Sequence, residues 1–209
     1  MKCKHCDSPV GKTARFCENC GSALSGDDLV HRLSKAYRIE LSGRLEDALA
    51  EYERLLGDDS AAESAVVSKH LANLHFRMGH LRRARKYLTD ACGQDERNPT
   101  LWHDLGVTEY HLAQFDGAVS ALRRSLELDE NSIVALFWLG NALYHRGDNE
   151  EAAEAFSTLI ERYPNFTIAR FHLGVIYARQ GQKDKAEAEF RRVLMKNPEH
   201  AAARFYVSS

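Results

Sequence analysis

Apolar residues along this chain recur at helical spacing, in short stripes that stop and restart. Between residues 136 and 144, Leu136, Leu139, Gly140 and Leu143 fall at i, i+3, i+4 and i+7, which is one face of a helix. From 151 to 163, Ala152, Phe156, Leu159 and Ile160 draw a second stripe of the same kind. Gly147 lies between them, where a chain reversal needs a residue tolerant of positive φ, and Asp148 is placed to cap the second helix. Pro164 closes the pair, since it lacks an amide hydrogen and disfavours helix before it. The segment predicts a helical hairpin.

A longer period runs over the helical one. Alanine recurs at 84, 118, 152 and 186, a spacing of 34, and its neighbours recur with it. Leu105-Gly106, Leu139-Gly140 and Leu173-Gly174 begin thirteen residues before Ala118, Ala152 and Ala186, while Gly79, Gly147 and Gly181 stand five before Ala84, Ala152 and Ala186. A small residue kept at one phase predicts two helices crossing closely in each copy. A hairpin of this size cannot bury its own apolar face, so the copies must stack.

The order large, Leu-Gly, aromatic, Gly, Ala, aromatic, small, Pro resembles the tetratricopeptide repeat family. One copy reads Trp102, Leu105, Gly106, Ala118, Leu122, Ser125; the next reads Leu136, Leu139, Gly140, Gly147, Ala152, Phe156, Pro164. The following one reads Leu173, Gly174, Tyr177, Gly181, Ala186, Phe190, Pro198, and an earlier one Leu71, Ala72, Gly79, Ala84, Leu88, Ala91. The resemblance covers roughly four-fifths of the chain. It implies an all-α solenoid, a right-handed superhelix of about five helical hairpins with units near 29–62, 65–98, 99–132, 133–166 and 167–200. The first unit departs from the pattern: Gly43, Ala48 and Tyr52 fit, Lys35 stands where leucine is usual, and two extra residues separate it from the second. Residues 201–209 begin one more helix, with Phe205 and Tyr206, read as a lone terminal helix over the apolar edge.

In that family the first helix of each hairpin, helix A, lines a concave groove. The resemblance then implies partner contacts at Lys69 and Asn73, His103 and Tyr110, Phe137, Asn141 and Tyr144, and Phe171. Aromatic side chains on a concave face suit a peptide or protein ligand. The same rings also suit packing between neighbouring A helices. Lys69 and Asn73 resemble half of a carboxylate clamp, but His103, Phe137 and Phe171 stand where its other half wants lysine or arginine. The pairs Arg82-Arg83, Arg123-Arg124 and Arg191-Arg192 fall on or near the second helices, helix B, where a solvated outer face is expected.

Four of the five cysteines change the picture at the N-terminus. Cys3-x-x-Cys6 and Cys17-x-x-Cys20, ten residues apart, have the spacing of two thiolate pairs closing a tetrahedral zinc site. With only Val10, Phe16 and Leu24 as sizeable apolar residues, residues 1–24 have no core, so metal binding, worth about 10–16 kcal/mol, is what would fold them. The segment resembles the short zinc-ribbon modules of many bacterial and archaeal proteins; the same thiolates also suit iron. Residues 25–28 then read as a flexible linker. Cys92, in a helix B, reads as a small buried residue.

Charge excludes little: the formal net charge is −2, with acids and bases mixed throughout. No apolar run is long enough to span a bilayer and no apolar signal segment opens the chain, so a cytoplasmic location is expected. There is no phosphate-binding glycine loop and no His-Glu-x-x-His motif; the histidines are scattered, although His111 and His145 occupy equivalent positions. The sequence predicts a non-enzymatic adaptor with a structural Zn(2+) ribbon as a second docking element. It predicts no membrane and no small-molecule substrate. The alternatives are a regulator whose ribbon contacts DNA or RNA and a zinc-thiolate redox sensor.

Overall fold

The structure, a computed structural model, describes residues 6, 8–9, 19–20, 27–56 and 64–208. The expected ribbon over 1–24 therefore lies largely outside the described residues, Cys3 and Cys17 included. Among the described residues eleven helices follow one another: α1 (Asp27–Leu41), α2 (Leu45–Leu56), α3 (Ala65–Arg77), α4 (Leu81–Gln94), α5 (Pro99–His111), α6 (Phe115–Leu128), α7 (Ile133–Arg146), α8 (Asn149–Arg162), α9 (Thr167–Arg179), α10 (Lys183–Lys196) and α11 (Ala201–Ser208). None is long and apolar enough to cross a membrane. The chain divides into two units, 1–96 and 97–209, each with its own packing.

The first unit holds the hairpins α1-α2 and α3-α4. Ala36, Ala48, Tyr52, Leu55, Val67, Leu71 and Leu74 are fully buried and form one core. Lys35, the departure from the repeat, points away from that core and reaches Glu51 at 2.9 Å, while the adjacent Ala36 takes the buried place. Glu40 ties three helices together: it accepts a hydrogen bond from the Tyr52 hydroxyl (3.1 Å) and faces His70 Nδ1 (3.0 Å) and Arg77 (3.6 Å). Burial, with Glu40 beside it, raises the Tyr52 pKa.

In the second unit the spacing of 34 becomes a repeated steric contact. A Cβ built on Gly106 would lie 2.5 Å from Leu122 Cγ; on Gly140, 2.9 Å from Phe156 Cζ; on Gly174, 2.8 Å from Phe190 Cε1. Each large side chain of helix B therefore rests on the bare backbone of helix A. Ala118 and Ala152, fully buried, and Ala186 let the two helices cross at that distance. Leu139, Leu143, Phe156, Leu159, Leu173 and Ile176 carry the core from one hairpin into the next. Phe190 is stacked in turn by Tyr206 of α11, ring centroids 4.5 Å apart.

Local rules are kept unevenly. Gly147 takes φ 106° and caps α7, as expected, but the Asp148 side chain makes no cap hydrogen bond. Its carboxylate instead pairs with Arg146, which competes successfully for the same oxygens. Between α5 and α6 the residue in the left-handed turn is Ala113, at φ 56°, a conformation that costs a side chain roughly 1–2 kcal/mol. Arg170 stands where Trp102 and Leu136 stand in earlier copies. Its guanidinium pairs with the buried Glu189 at 3.1 Å and donates to the Pro164 carbonyl, and Arg204 repeats the second contact with Pro198 at 2.6 Å.

Substituting Gly140→Ala should lower stability by about 1–2 kcal/mol, the overpacking cost exceeding the gain in helix propensity. Gly93→Ala, in α4 with open space at its Cβ, should instead raise it by about 0.5–1 kcal/mol. Thermal denaturation followed by circular dichroism reads both signs.

Candidate functional site

Helices α5, α7 and α9 are the A helices of the second unit, and they bring four of the expected residues into one ring network. Tyr110 of α5 meets Trp138 of α7 edge-on at 5.1 Å and His145 at 5.5 Å; Phe115 stacks on His145 at 5.4 Å. Burial raises the Tyr110 pKa. Phe137 touches Phe156, Phe166 and His172, and the Arg179 guanidinium of α9 lies 4.5 Å from the Tyr144 ring, a favourable cation–π distance. Phe171 packs between Phe190 at 5.7 Å and His200 at 4.8 Å. All four, Tyr110, Phe137, Tyr144 and Phe171, are half-buried, each presenting part of its ring.

The polar candidates behave differently. Asn141 is buried, at 5% exposure, and its amide donates to the Phe137 carbonyl of its own helix at 2.8 Å. That internal bond satisfies a side chain that would otherwise cost more to bury. His103 faces Asp104 at 2.9 Å through Nδ1, while its buried Nε2 has no hydrogen-bond partner among the described residues. Lys69 and Asn73 lie half-buried on α3, in the first unit.

Sequence reasoning missed the most exposed apolar side chains on these helices. Val134 of α7 and Ile168 of α9 are each 56% exposed, 34 residues apart, in phase with the exposed Thr100 of α5. Val66, at 54% exposure, holds the same phase in α3. The 34-residue ruler laid one position into each helix would have found this β-branched row.

At the N-terminus, Asn19 donates to Ser8 Oγ (2.9 Å) and to Cys6 Sγ (3.7 Å), and the Cys6 thiol donates to Ser8 Oγ (3.3 Å). Once ionised, Cys6 instead accepts from the Ser8 side chain and backbone, and then from Cys20 and Asn19, which lowers its pKa to about 5. One cysteine of each Cys-x-x-Cys pair is thus beside the other, and a thiolate there fits a soft-metal donor set. The described residues alone form no three-ligand metal group.

A sequence profile of the tetratricopeptide repeat matches residues 70–133 and 137–203. The chain belongs to the tetratricopeptide repeat family. Among solved structures, this tetratricopeptide repeat chain is similar to YrrB, described as a TPR protein with an unusual peptide-binding site: 26% identity and TM-score 0.80, over 88% of this chain and 94% of that one. MamA has the same fold at 21% identity and TM-score 0.78, over 85% and 96%. So does a tetratricopeptide repeat protein from Parabacteroides merdae ATCC 43184, at 17% identity and TM-score 0.79, over 87% and 72%. No functionally curated protein matches the chain.

His172 of α9 is stacked on Phe156 of α8 at 5.2 Å. Burial lowers its pKa, and the charge of His145 lowers it further. The folded state therefore resists a proton that the unfolded chain takes up near pH 6.5. Stability should be full above that pH and fall below it; His172→Phe, which keeps the ring stack, should reduce the fall. Melting midpoints of the two proteins between pH 7.5 and 5 test this, and equal losses would contradict it.

Proposed function

We propose that this chain is a protein–protein interaction adaptor that takes a peptide segment of a partner along the A helices of its second unit. The observation that carries the reading is the exposed row Thr100, Val134 and Ile168. Phe137 and Tyr144, three and ten residues after Val134, share its face of α7 by helical spacing, and the Arg179 guanidinium lies over the Tyr144 ring. An apolar row on a rigid stack of helices, with rings and a cation beside it, offers what peptide recognition uses. Membership in the tetratricopeptide repeat family supports the reading, as does the likeness to YrrB, itself described as peptide-binding. Tyr144 and Phe171 fit it as part of the contact surface; Asn141 fits it as a support that fixes the backbone of α7.

Peptides selected from a displayed library by the native chain provide the test. Val134→Asp with Ile168→Asp should weaken them about tenfold or more, since each exposed side chain brings roughly 1 kcal/mol of burial to the complex. The melting midpoint should stay where it was. Selected peptides that bind the double variant as well as the native chain would contradict the assignment.

Cys3, Cys6, Cys17 and Cys20 form the second part of the proposal, as ligands of one Zn(2+) that folds residues 1–24 into a further docking element. The lowered Cys6 pKa and its closeness to Cys20 support this. A bound zinc supplies cross-linking of the two cysteine pairs in place of an apolar core. Elemental analysis of the purified chain should find one zinc, lost in Cys6→Ser. Iron, or no metal, would contradict it.

A further inference from the structure

The second helix of most hairpins opens on acid: α2 with Glu46 and Asp47, α6 with Asp116, α8 with Glu150 and Glu151, α10 with Asp184. Negative side chains there are favoured by the helix dipole. Helix α4 has none. By the 34-residue register, Arg82 and Arg83 stand where α8 has Glu150 and Glu151, and Lys86 stands where α8 has Glu154. All three cations are exposed. None forms an ion pair with a described residue, whereas exposed arginines of other B helices do, as in Arg54 with Glu51, Arg124 with Glu127 (2.8 Å) and Arg191 with Glu187 (2.6 Å).

The charge of this helix start reaches inward. His75 of α3 is 1% exposed, stacked on Tyr87 of α4 with ring centroids 5.4 Å apart, and 5.7 Å from the His80 ring that precedes α4. Its Nδ1 is buried with no hydrogen-bond partner among the described residues. Burial first, then Arg83 and His80, lower its pKa, with Glu53 the one acid opposing them. The first turn of α4 thus carries no acid of its own, and beneath it His75 Nδ1 has no partner among the described residues. Two arginines in the first turn, set against the helix dipole, with Lys86 one turn on, do not serve the stability of the fold, and such local conflicts are expected where a surface has another use.

We propose that Arg82, Arg83 and Lys86 form a docking surface for an acidic peptide segment of a protein partner, on α4, a B helix of the first unit. A nucleic acid would need a longer track of cations with stacking rings. Here the cations span about 6 Å of helix, Tyr87 is engaged with His75, and Glu53 and Asp90 lie near. The acids of α8 in a second copy match in sign, but isolated surface pairs strengthen association only about fivefold each at most. A run of adjacent carboxylates on a peptide concentrates more charge on the same three side chains.

The test is fluorescence anisotropy at low salt with the full chain and three probes: a labelled octaglutamate peptide, its octaglutamine counterpart, and a single-stranded oligonucleotide of equal charge. The glutamate peptide should bind most tightly. The triple variant Arg82→Glu, Arg83→Glu, Lys86→Glu, which copies the residues α8 already carries, should weaken it about tenfold or more and raise the melting midpoint. The neutral variant Arg82→Gln, Arg83→Gln, Lys86→Gln should weaken it as well, and Val134→Asp with Ile168→Asp should leave it unchanged. Unchanged binding by the triple variants, loss in the A-helix variant, no binding of octaglutamate, or tighter binding of the oligonucleotide would each overturn the proposal.

Discussion

The second unit depends on the contact between a bare glycine backbone and one large side chain, made three times at Gly106 with Leu122, Gly140 with Phe156 and Gly174 with Phe190. With no Cβ on helix A, the side chain from helix B lies flat on the backbone, and the buried alanines at 118, 152 and 186 let the axes close up. Everything else in the hairpin follows from that approach. The B helix turns its remaining apolar residues to the next hairpin, and helix A keeps one face uncovered. Fixed packing on one side and an open face on the other come from the same interlock.

That economy explains which parts of the fold were legible. Leu-Gly, Gly147 and Ala152 are direct imprints of steric demands, so their spacing predicted the hairpins and their order. Side-chain rivalries left no such imprint. Asp148 has the chemistry of a helix cap, yet Arg146 two residues away claims its carboxylate. Asn141 has the spacing of a contact residue, yet its amide turns back to the Phe137 carbonyl. Lys35 broke the pattern without breaking the unit, because Ala36 beside it is buried instead. These outcomes turn on distances of a few ångströms between side chains, which no periodicity encodes.

The row proposed as a binding surface follows the same ruler at a different phase. Thr100, Val134 and Ile168 are exposed rather than part of the core, and still recur at 34 residues. The start of α4 shows the converse, a position where the repeat keeps its geometry and inverts its charge. A repeat fold shows its own exceptions, since each copy is a control for the others. Function in this chain is therefore sought where a structurally permitted residue differs from its equivalents or stays uncovered beside them.

The central claim is that the interlock leaves the A helices of the second unit as the face that takes a partner peptide. Chemical-shift mapping of the labelled chain with a library-selected peptide tests it most directly. The largest shifts should fall at Thr100, Val134, Tyr144 and Ile168, along α5, α7 and α9. Shifts concentrated on α6, α8 and α10, with those four residues unmoved, would contradict it.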